Sequence, residues 1–267
     1  MKERFLQMNN YDILKCAEIL NDAEHAGSET DKLTDEYPGM TVNEAYEIQR
    51  ALADIKLQEN HSICGLKMGL TSKAKMKQMN VSDPIYGYLL SYMQINDGGI
   101  LNYSELIHPK AEPEIAFIMG SDLSGDNLSI ADVMDAVEYI TPAMEIIDSR
   151  YRDFIFEAND VIADNTSASR FVLSNKLTKP GDLRLDLLGA VMYINGVIAD
   201  HGVGAAVLDH PANAVVLLLK MLSERGEGIK AGQIILTGGL TNAHSFSRND
   251  VVSVDIEQLG KVSVSVF

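Results

Sequence analysis

The sequence predicts an α+β chain: a helical N-terminal segment over residues 1–60 and a β-rich body over 61–267, packed as one unit. Two observations carry this. Up to about Glu59 the apolar residues recur at helical spacing. After His61 the texture changes to short apolar or alternating runs separated by Gly, Pro, Asn and Asp, the pattern of strands and turns.

Taken in order, Tyr11–Ala26 places Ile13, Leu14, Ala17, Ile19 and Leu20 on one helical stripe, and the run DEYPGMT then breaks it. Thr41 with Glu44 three residues on is a capping box, and Ala45, Ile48, Leu52 and Ile55 continue a second helix to about Glu59. Ile63–Gly69 alternates as a strand, with Ile63, Gly65, Lys67 and Gly69 on one face. Thr71–Asn80 reads as a short helix and Ala111–Met119 as a strand. Ser129 with Asp132 caps a helix expected to run to Ile140, and Ala143–Ile147 is a strand again. Asn195-Gly196 between apolar flanks marks a two-residue hairpin within Val191–Asp200. Pro211 opens a buried helix to about Arg225, with Gly226 past its end. Ile234–Thr237, Val251–Ile256 and Val262–Phe267 are further strands. No repeat, low-complexity tract or linker interrupts the chain.

At 267 residues the chain can bury roughly three quarters of its unfolded surface, so neither disulfides nor structural metals are needed for folding. The formal net charge of −16 argues against nucleic acid or an anionic membrane surface as a partner, since the mean field repels both. It does not exclude a small anion, because one bound cation reverses the local sign. The longest apolar run, Ala214–Leu219, is far short of the roughly 20 residues of a membrane span. Cys16 and Cys64 make no disulfide framework, and the opening MKERFLQMNNYD has no apolar core or cleavage signal, so a cytoplasmic setting is expected.

The familiar nucleotide and protease signatures are missing. There is no P-loop; Gly202-Val203-Gly204 lacks the third glycine of a dinucleotide fingerprint; the six histidines form no HExxH pair; Ser72-Lys73-Ala74-Lys75 matches SxxK without its partner motifs. The carboxylates say more. Glu112 and Glu114 flank Pro113 and, at i and i+2 of a strand, point to one face. Alone, such a pair reads more readily as a solvent-exposed strand end. Glu145, however, sits inside the apolar strand Ala143-Met144-Glu145-Ile146-Ile147 and needs a partner. Three glutamates without paired histidines suit a hard divalent ion, Mg²⁺ or Mn²⁺. Lys67, with glycines as same-face neighbours, has room to meet a ligand as an acid/base or carboxylate anchor, although a lysine snorkelling at a strand end would look the same. Asp83-Pro84-Ile85-Tyr86-Gly87-Tyr88 reads as a polar loop with two phenols, the run 163–170 is dense in donors and acceptors, and Thr237-Gly238-Gly239 follows an apolar strand with backbone N–H groups to offer a carboxylate.

Together these segments resemble the 2-oxopent-4-enoate hydratase and 4-oxalocrotonate decarboxylase family of the fumarylacetoacetate hydrolase-like superfamily. The resemblance covers nearly the whole chain. It is carried by GLKMGLTS from Gly65, PIYG from Pro84, HPKAEPEIA from His108, PAMEIIDSRY from Pro142, ADN from Ala163 and LTGG from Leu236. KMGLTSKAKM, DPIYGYL and IIDSRY are most similar to the decarboxylase branch. So is the word GAGAAVLGHP, from which this chain departs at Val203 and Asp209; Asp209 there can serve as a helix cap. An aspartate at Asp148 favours that branch over the hydratases.

The resemblance implies a mixed β-sheet roll of the fumarylacetoacetate hydrolase type, a Mg²⁺ or Mn²⁺ held by Glu112, Glu114 and Glu145, and Lys67 and Asp148 as catalytic residues. It implies Thr71, Asp83, Tyr86, Asn165, Ser167 and Thr237 as substrate contacts. The implied reaction is metal-dependent decarboxylation of 2-oxohex-3-enedioate to 2-hydroxypenta-2,4-dienoate and CO₂ in meta-cleavage degradation of aromatic compounds. Hydration of 2-hydroxypenta-2,4-dienoate is the alternative. A homo-oligomer and a complex with a hydratase are also implied. Because a carboxylate must leave as neutral CO₂, the pocket for the substrate's far end is expected to be mainly apolar.

Overall fold

The computed structural model describes residues 8–72, 76, 83–181 and 183–267. The helix expected over Thr71–Asn80 therefore lies almost wholly outside the described residues. Three helices open the chain: α1 (Asn10–Ala26), α2 (Leu33–Glu36) and α3 (Val42–Gln58). Asn9 and Asp12 close the capping box of α1, and Gly27, in the left-handed region, ends it. Thr41 and Glu44 form the expected box on α3.

The body is two mixed sheets. The larger, in the order β2-β1-β10-β5-β6-β7-β3, joins β1 (Ile63–Gly69), β2 (Ile85–Leu90), β3 (Gln94–Asn96), β5 (Lys110–Met119), β6 (Val137–Ile147), β7 (Ala168–Leu173) and β10 (Ile234–Leu236), with β11 (His244–Ser245) pairing the start of β5. The smaller, β4-β13-β12-β8-β9, joins β4 (Gly99–Leu101), β8 (Gly189–Ile194), β9 (Val197–Val203), β12 (Val251–Ile256) and β13 (Gly260–Val266). Asn195 and Gly196 both take positive φ and turn the β8–β9 hairpin, as a two-residue type I′ connection requires. One hydrophobic core runs from Ile13 of α1 through Ile115 and Met144 of the large sheet to Val264 of the small one.

Two helices differ from expectation. The one capped by Ser129 is α4 (Ile130–Ala136); it stops four residues early because β6 begins at Val137 and pairs with β5 down to Met119. The sequence 137–140, β-branched and aromatic, suits that long strand better than a helix end. After the short α5 (Ala158–Ala163), the buried helix is α6 (Pro211–Ser223). Its cap is His210, whose Nδ1 accepts from the Ala212 N–H, while Asp209 is held at φ 67° one residue too early to cap. Burial pulls the His210 pKa down, which keeps that ring nitrogen an acceptor.

Gly204–Ser223 has a span-like length of 20 residues and a mean hydropathy of 1.4. The stretch is interrupted, however, by a 3₁₀ turn and by Leu208 and Asp209 at positive φ. What remains, α6, is about 20 Å long and buries Val215, Leu218 and Leu222 in the core.

Candidate active site

The antiparallel register of β5 and β6 sets Glu112 directly opposite Glu145, and the two-residue repeat puts Glu114 on the same face. One carboxylate oxygen from each of the three lies within 4.8 Å of the others. All three residues are buried, Glu114 completely. Pro113 can sit between them because this stretch of β5 faces the gap between β10 and β11, where a loop replaces a strand. That loop caps the cluster: the Gly238 N–H donates to Glu114 Oε2 at 2.7 Å, and the Leu240 N–H donates to the Pro113 carbonyl. Thr237-Gly238 thus offers its N–H to a carboxylate, as the sequence suggests, but the carboxylate is the protein's own. Gly238 has φ 114° and a Cβ there would lie 2.1 Å from Thr71 Oγ1, so only glycine lets this loop close on Thr71.

Lys67 comes from β1, on the far side of β10. Its Nζ is 2.9 Å from Glu145 Oε1 and donates to the Thr166 carbonyl at 3.1 Å. Lys67 is thus ion-paired with one of the three clustered carboxylates, Glu145. Burial and the neighbouring charge of Glu145 hold the Glu114 carboxyl well above the usual range, with Lys67 opposing them only in part. Burial likewise raises Glu145, against the pull of Lys67. Glu114 Oε1 is buried with no hydrogen-bond partner among the described residues. Three converging carboxylates, one with an orphaned oxygen, are the donor set of a hard divalent cation, and such an ion fits here.

A cavity of about 300 Å³ opens in front of this cluster. Its lining combines the polar Lys67, Glu112, Thr71, Thr166, Ser167 and Asn242 with the apolar Ile85, Ile147, Phe154, Phe156 and Val161. Phe154 stands at φ 60°, beside Asp153 at φ 56°, and Lys110 Nζ covers its ring at 3.8 Å.

The structure brings Lys67, Glu112, Glu114, Glu145, Thr71 and Ser167 together and places the other anticipated site residues elsewhere. Tyr86 pairs with Met68 and Gly87 with Lys67, so the Tyr86 side chain emerges on the face opposite Lys67 and stacks on Tyr46 at 4.8 Å. Asp83 lies with Tyr86 beside a separate groove between α3 and α6. The Asn165 amide is used up by β2, donating to the Tyr88 carbonyl and accepting from the Tyr88 N–H. Thr237 Oγ1 donates to the Ile115 carbonyl. Asp148 is absent from the cavity lining: its two oxygens accept the N–H groups of Ile107 and His108 at 2.8 and 2.7 Å. The glycines beside Lys67 also have another role than making room for a ligand. A Cβ at Gly65 would strike the Ile234 backbone, and one at Gly69 would lie 2.6 Å from Thr166 Cγ2.

Two groups were not anticipated. The aromatic pair Phe154 and Phe156 has no motif around it. Arg150, inside a word already singled out, is fully buried: it ion-pairs with Asp164 and donates to the carbonyls of Asp148, Asp164 and Ala168.

This fold and this carboxylate cluster define the class. Residues 72–267 match the family described as Fumarylacetoacetate (FAA) hydrolase C-terminal, and the chain belongs to the fumarylacetoacetate hydrolase family. Among its relatives, it is 44% identical to a 4-oxalocrotonate decarboxylase of Pseudomonas putida, over 96% of this chain and 97% of that one. It is 36% identical to a 2-oxo-hept-4-ene-1,7-dioate hydratase of Escherichia coli, over 92% and 95% of the two chains. The solved structure of 4-oxalocrotonate decarboxylase from Pseudomonas putida G7, complexed with magnesium and adipate, superposes with a TM-score of 0.96 at 41% identity, covering 98% of this chain and 99% of that one.

Proposed function

We infer that this chain is a divalent-cation-dependent carbon–carbon lyase that removes CO₂ from 2-oxohex-3-enedioate to give 2-hydroxypenta-2,4-dienoate, a step in breaking down aromatic compounds. The observation that carries this reading is a cluster of three glutamates adjoining a cavity lined by Glu112 and Lys67 and by the apolar Ile147, Phe154 and Phe156. The similarity to a decarboxylase whose solved structure contains magnesium and a six-carbon dicarboxylate supports it.

Glu112, Glu114 and Glu145 would hold the cation. When bound, it would supply the positive charge that stabilises the electrons collecting on the substrate's 2-oxygen. The apolar wall of Ile147, Phe154 and Phe156 receives the far end. There the C5–C6 bond breaks and C6 leaves as CO₂. The freed electron pair becomes the C4–C5 double bond, the former C3–C4 double bond moves to C2–C3, and charge collects on the 2-oxygen. An apolar wall favours this step, since any cation paired with the departing carboxylate would stabilise the ground state over the transition state. Lys67 Nζ, anchored on Thr166 and Glu145, has a remaining N–H to offer the developing enolate and a proton to give its oxygen. Asp148 acts at one remove, by fixing the Ile107–His108 backbone.

Hydration of the dienol is the second reading, favoured by the 36% identity to a hydratase, since both reactions use the same chelated 2-oxo acid. The dienol product makes a hydratase the natural partner. Exposed Ile100 on β4 and Val197 and Ile198 on β9, the outer strands of the smaller sheet, support a homo-oligomer, and two unpaired cysteines fit a cytoplasmic setting. The test of the cation's role is chelation. Turnover should vanish while the far-UV CD spectrum stays nearly intact, and Mg²⁺ should restore it; global unfolding on chelation would contradict a catalytic role.

A further inference from the structure

Lys67 sits in an unequal field. Its ammonium lies 2.9 Å from Glu145, one of three clustered carboxylates, and that attraction draws Nζ towards the cluster and away from the cavity. The opposing group is a backbone carbonyl, that of Thr166 at 3.1 Å. It belongs to the single turn Asn165–Ser167, in which three successive non-glycine residues take φ of 49°, 54° and 54°. The left-handed region disfavours any Cβ and most of all a β-branched residue such as threonine.

Something has to hold so unfavourable a turn, and each of its polar side chains is tied to a rigid neighbour. The Asn165 amide pairs with both backbone groups of Tyr88. Thr166 Oγ1 donates to the Tyr86 carbonyl, which Gln49 also contacts. Ser167 Oγ donates to Asp164, and Arg150 fastens the Asp164 and Ala168 carbonyls on either side. The strands have been cut back to admit the turn: a Cβ at Gly87 would lie 2.6 Å from the Asn165 carbonyl. Strain that persists only because its surroundings enforce it is characteristic of functional sites.

We propose that the Asn165–Ser167 turn positions Lys67, with Thr166 as the positioning residue: its carbonyl counterweights the glutamates and keeps one ammonium N–H directed at the substrate. This rests on the reading of Lys67 as the group that serves the enolate, and the test separates the two. Thr166→Gly relieves the strain and leaves the Tyr86 carbonyl its bond from Gln49, so the fold should survive, but the peptide is free to turn its carbonyl away. It should lower kcat by about tenfold or more, leave KM within about twofold and leave Mg²⁺ affinity unchanged. Thr166→Ser, which keeps the hydroxyl anchor, should recover most of kcat. Asn165→Gly, which tolerates the backbone angle but drops the clamp on Tyr88, should repeat the Thr166→Gly pattern. The decisive arm is the double variant: in a Lys67→Met background, Thr166→Gly should cost less than about twofold, because the turn acts through Lys67. An equal cost in both backgrounds, or full kcat in Thr166→Gly, overturns the proposal. Full kcat in Lys67→Met alone overturns the role given to Lys67 itself.

Discussion

Replacing Glu114 by glutamine should make the cation-free protein at least as stable as the parent while abolishing its response to Mg²⁺. The three glutamate oxygens are at most 4.8 Å apart, so two ionised carboxylates there repel by at least about 3.5 kcal/mol at an effective dielectric constant of 20. Lys67 answers one of them, at Glu145. Glutamine keeps an oxygen to accept the Gly238 N–H and places its NH₂ where the orphaned Oε1 now lies, with Glu145 as acceptor. The sign of the pH dependence follows from the same charges. Both Glu114 and Glu145 are held above their ordinary value of 4.5, so above that pH the folded state binds more protons than the unfolded chain. Stability of the cation-free parent should therefore fall as pH rises from about 4.5 through the raised pKa values, then level off, and the fall should be smaller in Glu114→Gln. With Mg²⁺ at about a hundred times its Kd the parent gains about 2.7 kcal/mol, or about 5–10 °C in Tm for a chain of this size. Thermal melts of both proteins with EDTA and with Mg²⁺, beside calorimetric titration of the ion, measure all of this. A variant that melts several degrees below the cation-free parent and keeps its Mg²⁺ shift would refute the reasoning.

Three further outcomes are expected. Asp148→Asn can accept only one of the two N–H bonds at Ile107 and His108; it should lower stability by about 1.5–3 kcal/mol in denaturant melts while leaving kcat within about tenfold, whereas a larger loss of kcat with unchanged stability would return Asp148 to the chemistry. Arg150→Met strands the buried Asp164 carboxylate and should cost about 3–5 kcal/mol, read from urea unfolding. Phe154→Ala opens the apolar wall to water; kcat for decarboxylation should fall while Mg²⁺ affinity is unchanged, and a fall in both would place Phe154 in support of the cation instead.

How much of this was legible in the sequence depends on what each residue's role is made of. The three glutamates were readable because a charge between apolar neighbours is anomalous in one dimension, and strand periodicity alone puts two of them on one face. Lys67 was readable for the same reason, yet the meaning of its glycines was not. They accommodate Ile234 and the Thr166 turn, two segments remote in sequence. The direction of Tyr86 was not readable because a strand's two faces are distinguishable only once its register against Lys67 is known. The early end of α4 was hidden by a capping signal that fixes where a helix starts and says nothing of where a strand competes for its end. Asn165 and Arg150 act on backbone carbonyls, which leave no trace in composition or spacing.

The central claim is tested most directly by giving purified, Mg²⁺-loaded protein two compounds in parallel, 2-oxohex-3-enedioate and 2-hydroxypenta-2,4-dienoate. The first should release one equivalent of CO₂ as the dienol forms, and the second should persist unhydrated. Rapid conversion of the second to 4-hydroxy-2-oxopentanoate, with no CO₂ from the first, would contradict the account and make the chain a hydratase.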